Sequence, residues 1–392
     1  MEAHRIAEAL RREARALGAV AAGIAPADPV PEAALYPAWI RWGFGAGMGY
    51  LAQPEAVARR RSPRDAWPLA RSVLVTAWPY LAPGRAPDDA LGAGVARYAE
   101  SDDYHDWVAA RLAALAERVR AWVPGVHTRI YVDTGPLLER ALARRAGLGW
   151  IGRNTLLLVP EVGSYVVLGV LLLSIELPPD APYERDGCAT CTQCLEACPT
   201  GALLGRDASG APWLDARRCI AYWTIEHRGP LPRPIRPLLG TWIFGCDICQ
   251  RVCPPNRKAR RMPTLPPDVV PQPLHGAELT ALLALTEEAF RARFRRTPIW
   301  RARRRGLLRN VAVALGNLGD PAAVPALARA LWDAEPLVRG HAAWALGRIR
   351  TAGARQALAG RREVEPDGWV RQELDLALAE FDRSDPVAAS LA

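Results

Sequence analysis

The sequence predicts a multidomain protein with an α/β domain, a small cysteine-rich domain and a C-terminal domain of α-helical repeats. Three observations carry that prediction. Strand-like and helix-like stretches alternate over residues 1–180, all eight cysteines fall between Cys188 and Cys253, and a helical pattern recurs after residue 263. A chain of 392 residues suggests two or three domains. Hydrophobic residues make up 50% of it, enough to fill cores and too many for a disordered chain. The expected segments are 1–180, 181–262 and 263–392.

In the first segment, "HRIAEALRREARALG" and "DWVAARLAALAERVRAWV" place apolar residues at helical spacing. "RSVLVTAWPY", "HTRIYVDTG" and "SYVVLGVLLLSI" are rich in β-branched residues and read as strands. The pair Arg11 and Arg12 is followed by Glu13 and Arg15 inside the first helix pattern. It therefore reads as a helix face and not as an export signal. The longest apolar run, "YVVLGVLLLSIEL" from Tyr165, is too short to span a bilayer and reads as a buried strand. A cytoplasmic protein with no membrane partner is expected.

The second segment is rich in Pro, Gly and Trp and short of long periodic stretches, so it needs something other than a large apolar core to hold it, which bound metal can supply. Cys188, Cys191, Cys194 and Cys198 follow C-x-x-C-x-x-C-x-x-x-C-P, the spacing of bacterial ferredoxins. Two-residue gaps bring three thiolates to one cubane from a single tight loop, and the fourth cysteine serves the other cluster. Cys246, Cys249 and Cys253 in "GCDICQRVCPPN" supply a second set, with Cys219 displaced upstream. Crossed ligation assigns Cys188, Cys191, Cys194 and Cys253 to one [4Fe–4S] cluster. It assigns Cys198, Cys219, Cys246 and Cys249 to the other. Two structural zinc sites of four cysteines each are the alternative.

In the third segment, "LLRNVAVALGNLGD", "LVRGHAAWALGRIR" and "WVRQELDLALAEF" set Arg309, Arg339 and Arg371 about 30 residues apart. With the Pro-flanked helix "PAAVPALARALWDAEP" between the first two, this resembles HEAT-type helix pairs stacked as a small solenoid. The net charge of +9 is almost all arginine, Lys258 being the only lysine, so its placement says more than its total. "RARFRRTPIWRARRRGLLR" holds nine arginines and no acid, interleaved with Phe294 and Trp300. Arg291, Arg293, Arg295, Arg296, Arg301, Arg303, Arg304 and Arg305 are candidates for binding RNA phosphates, with the aromatics stacking on splayed bases. A solvated helix face is the other reading.

Asp133 ends the strand "RIYVD" and precedes the helix "PLLERALARRAG". A carboxyl at a strand's end commonly faces a site, and Asp133 or Thr134 also fits as that helix's cap. Taken together, "RIYVDTGPLLERALARRAGLGWIGRNTLLL", the double cysteine motif, "LDARRCIAYWTIEHRG" and the repeats resemble the epoxyqueuosine reductases over nearly the whole chain, in the same order.

That resemblance implies an oxidoreductase with cobalamin and two [4Fe–4S] clusters, in a core similar to that of the reductive dehalogenases. It implies reduction of epoxyqueuosine to queuosine at the wobble position of a tRNA anticodon stem-loop. Electrons would come from a low-potential donor, and Asp133 would protonate the opening epoxide. Arg60, Tyr98, Asp133, Asn154, Thr155 and Ser164 match family positions and are the candidate cobalamin contacts. His105 matches too, although a lone His at a helix start is more often structural. A monomer is expected. A reductive dehalogenase-like enzyme, and a non-enzymatic RNA-binding repeat protein with structural metal, are the competing functions.

Overall fold

The computed structural model describes residues 3–82, 94–258, 264–271 and 279–382. The expected boundary at 262/263 lies outside them. The chain forms two compact units, each discontinuous in sequence: 1–89 with 100–219 and 247–272, and 90–99 with 220–246 and 273–392. The cysteine segment is thus divided between the two units.

The first unit contains helices α1 (Ala3–Ala16), α2 (Tyr104–Trp122) and α3 (Glu139–Arg145). They surround a sheet of β1 (Ala21–Pro26), β2 (Ser72–Pro79), β3 (Thr128–Tyr131) and β4 (Val166–Leu173). Its order is β1-β2-β4-β3, and every pairing is antiparallel. β2 is buried along its whole length because both faces are covered. Val73, Val75 and Ala77 face Leu137, Ala141, Leu142 and Ala146, on and beside α3. The residues between them point the other way, as strand alternation requires. There α2 sits so close that a Cβ on Gly169 would lie 2.8 Å from Val108 and 2.9 Å from Leu112.

The helices and the three β-branched strands lie where periodicity places them. β1 is an addition. Its sequence, AAGIAP, carries one β-branched residue, and its strand identity comes from pairing along β2.

The C-terminal part of the second unit is helical. Its elements are α4 (Glu287–Phe294), α5 (Arg303–Leu318), α6 (Val324–Ala330), α7 (Pro336–Ile349), α8 (Ala352–Val364) and α9 (Gly368–Asp382). α5 packs on α7 and α7 on α9, the stacking of a short solenoid. Two of the three recurring arginines are structural. Arg309 is 1% exposed and donates to the carbonyls of Trp223, His227 and Gly229, tying residues 220–246 to α5. Arg339 forms a buried two-point pair with Glu365. Arg371 is exposed.

Candidate active site

β3 ends at Tyr131, two residues short of the expected end at Asp133, which lies in the irregular loop leading to α3. Its sheet is antiparallel, so the rule for parallel strand ends does not place it. Its surroundings do. Tyr104 donates its hydroxyl to Asp133 Oδ2 at 2.8 Å, and His105 Nε2 lies 3.4 Å from the same oxygen. His105 Nδ1 is 2.6 Å from Asp103 Oδ1, and Asp103 caps α2 by accepting from the His105 amide. The imidazole therefore bridges two carboxyl groups, the geometry of a proton relay. The capping reading of Asp133 is not what the structure shows: the residue before α3 is Leu138, and no side chain caps that helix.

The Asp133 backbone has φ +57°, the left-handed region that costs a residue bearing a Cβ about 1–2 kcal/mol. Its amide donates 2.8 Å to Oε1 of Glu139, the first residue of α3. The Glu139 carboxyl is pushed up to about 8, by burial first and by the neighbouring Asp133 charge second. The next residue, Arg140, donates to the Thr155 carbonyl and lies 3.4 Å from the Thr155 hydroxyl.

Thr155 has φ +63° and adjoins Asn154, which is 4% exposed. Asn154 accepts from the Leu156 amide, but its own Nδ2 has no protein partner. Two residues back, a Cβ on Gly152 would lie 3.5 Å from Cys188 Sγ. A run of contacts thus leads from Asp133 to the first cysteine loop. The buried donors without protein acceptors near it include Asn154 Nδ2, Arg153 Nε and the Tyr131 hydroxyl. Such groups fit a bound molecule rich in amides, which would supply the acceptors.

Cys253 and Cys188 share an apolar cluster with Trp150, Leu158 and Tyr183. Cys253 is pushed up to about 12, by burial and then by the charges of Cys188, Cys194 and Cys191. All four lie in the first unit, with Cys253 beside the three-cysteine loop. Thiolates this buried need metal charge to offset them. Of the second set, Cys198, Cys219 and Cys249 belong to the first unit and Cys246 to the second.

The remaining candidates fall elsewhere. Arg60 donates to the Ala56 carbonyl and covers the Tyr36 ring at 5.4 Å. Tyr98 lies in the second unit against Phe244. Ser164 is engaged internally, its hydroxyl with Gln250 and Asn256 and its amide with Asn256. Tyr104, Asp103 and Glu139 carry no signal of their own in the sequence, and His105, the weakest of the family-matching candidates, lies beside Asp133.

The basic stretch divides. Arg291, Arg293, Arg295, Arg296, Arg303 and Arg305 are exposed. Arg304 makes a two-point pair with Asp333 and is a structural residue, while Arg301 is half-buried. Phe294 is 2% exposed and cannot stack on a base; Trp300 stacks on Phe290, with Arg303 over its ring.

The fold and the site define an iron–sulfur redox enzyme fused to helical repeats. Residues 187–256 match a 4Fe-4S double cluster binding domain, which replaces the zinc alternative, and residues 301–379 match HEAT repeats. Residues 60–134 match the epoxyqueuosine reductase QueG domain, DUF1730. The epoxyqueuosine reductase of Pseudomonas aeruginosa is 40% identical over 358 residues, 88% of this chain and 94% of that one.

Two solved structures cover 96–97% of this chain and 99% of their own. An epoxyqueuosine reductase with a tRNA-Tyr epoxyqueuosine-modified stem loop is 30% identical, with a TM-score of 0.81. The Bacillus subtilis enzyme, with its catalytic aspartate loop swung out of the active site, is 30% identical, with a TM-score of 0.80. The chain belongs to the epoxyqueuosine reductase family and is an oxidoreductase. No described helix is long and apolar enough to cross a membrane.

Proposed function

We propose that the protein reduces epoxyqueuosine to queuosine in the anticodon loop of tRNA. Asp133 is the acid, cobalamin sits between the Asp133 loop and the first cysteine loop, and the work is done in the cytoplasm. The observation that carries this reading is the Asp133 carboxyl, held by Tyr104 and His105 at one end of the contacts that reach Cys188.

The net reaction consumes two electrons and two protons, removes the epoxide oxygen as water and leaves an alkene. Cobalamin and the two clusters supply the electrons when bound. Asn154 and Tyr131, whose buried donors lack protein acceptors, would hold the corrin's amide side chains. Tyr131 stays a donor because burial raises its pKa. Asp133 gives a proton to the departing oxygen, Tyr104 orients the carboxyl, and His105 with Asp103 behind it returns a proton. The exposed arginines, Arg291 to Arg296 and Arg303 with Arg305, would bind the phosphates of the stem-loop. Ser164 and Arg304 have structural roles here.

The B. subtilis relative has a catalytic aspartate loop that swings out of its active site, and we infer the same in and out positions for the loop between Val132 and Leu138. The test is conversion of epoxyqueuosine-bearing tRNA by protein reconstituted anaerobically with iron, sulfide and cobalamin and supplied with a strong reductant. Product that requires cobalamin supports the reading. A reconstituted protein that binds cobalamin and leaves the tRNA unchanged refutes it.

A further inference from the structure

We infer that Glu139 is a positioning residue, a latch whose side chain holds the Asp133 loop in the conformation that presents the acid to Tyr104 and His105. The inference rests on the assignment of Asp133 as the acid.

The loop from Val132 to Leu138 has no regular structure of its own. Its second residue, Asp133, has φ +57°, a conformation that favours glycine. Thr134 contributes only bonds within the loop, from its amide and hydroxyl to the Val132 carbonyl at 2.5 and 3.3 Å. The Asp133 amide, by contrast, is bound from outside the loop, by Glu139 Oε1 at 2.8 Å.

Glu139 is fixed in turn as the first residue of α3, whose Ala141, Leu142 and Ala143 lie in the sheet's core cluster. This hydrogen bond thus ties the strained backbone of Asp133 to the rigid scaffold, while Tyr104 and His105 hold its side chain. The bond offsets the cost of the left-handed backbone at Asp133, so its loss shifts the loop away from the conformation that presents the acid. The raised pKa of Glu139 agrees with this placement. Its protonated form keeps the acceptor oxygen and adds no second negative charge beside Asp133.

Two variants separate latch from filler. Glu139→Gln keeps the acceptor oxygen and Glu139→Ala removes it. The first readout needs neither cofactor nor turnover: amide hydrogen exchange of the peptide around Asp133 in the full chain. Exchange at Asp133 should be slow in the wild type and in Glu139→Gln, and about tenfold faster in Glu139→Ala, with the α3 amides unchanged. The second readout is kinetic, in reconstituted enzyme with equal cluster absorbance. Glu139→Ala should lower kcat about tenfold with KM for the modified tRNA within about twofold, and Glu139→Gln should restore it. Unchanged exchange in Glu139→Ala, or a Gln variant as impaired as the Ala variant in both readouts, overturns the latch. If the wild type converts no tRNA, the activity assignment fails, and the exchange experiment still decides the latch.

Discussion

Asp133 owes its suitability as an acid to the side chains gathered around one of its oxygens. Tyr104 and His105 both address Oδ2, and the side chain is about half exposed. None of this could be read from the sequence: the three residues are separated by a helix and a strand, and only the fold brings them together. Glu139 was hidden for a simpler reason. It lies six residues beyond Asp133, and no helix or strand period joins two positions at that spacing across a loop.

The cysteines were legible because a cubane dictates their chemistry and spacing directly. Crossed ligation puts Cys188 and Cys253 on one cluster. Changing both to Ala should therefore leave one cluster, about half the iron of the wild type. If ligation follows sequence order, the same pair of changes strips both clusters. Iron and sulfide analysis distinguishes the two.

At the scale of elements, the repeat helices are pinned by buried ion pairs at their ends and not by apolar contact alone. Glu365 accepts from Arg339 at two points and from Arg361. Burial would raise its pKa, but the hydrogen bonds from Arg339, the Asp367 amide and Arg361 outweigh that and bring it to about 2. The folded value lies below the unfolded value of 4.5, so this carboxylate stabilises the fold above about pH 4.5, and the contribution is lost as pH falls toward 2.

Glu365→Gln should cost about 3 kcal/mol at pH 7, because two buried arginines lose their countercharge. Urea unfolding at a series of pH values should show the gap to wild type closing as pH falls below about 4.5. A constant gap would mean that the loss is one of packing. His341 adds to the acid sensitivity. It is fully buried and neutral, bonded to the Leu337 carbonyl through Nδ1 and accepting from the Leu231 amide at Nε2, and protonation would break the second bond. The repeats were legible from their period. The roles of their arginines were not, since the same recurring residue is a buried strap at Arg309, a pair at Arg339 and exposed at Arg371.

For the whole molecule, charge has to be sorted by exposure before it says anything about a partner. The run of nine arginines read as one basic strip. Two of them, Arg304 and Arg309, are spent inside the protein, and Glu287 and Glu288 share a shallow hollow with Arg291, Arg295 and Arg296. Changing Arg291, Arg293, Arg295 and Arg296 to Glu should weaken tRNA binding and lower the salt dependence by about three to four counterions. Arg304→Ala should leave affinity nearly unchanged and lower the unfolding midpoint. Affinity measured across a salt series separates the two effects. Cobalamin is the part of the account least visible in the sequence, because a corrin is held by scattered amides and hydroxyls with no fixed spacing.

The central claim is that Asp133 supplies the proton on which loss of the epoxide oxygen depends. The most direct measurement is a single turnover with fully reconstituted, pre-reduced protein, comparing wild type with Asp133→Asn and analysing the digested tRNA nucleosides by mass spectrometry. The account predicts that the variant takes up the same electrons, with unchanged cluster and cobalamin spectra, and binds the modified tRNA. Its yield of queuosine should nevertheless fall by about a hundredfold or more. Product formation by Asp133→Asn at the wild-type rate would contradict it.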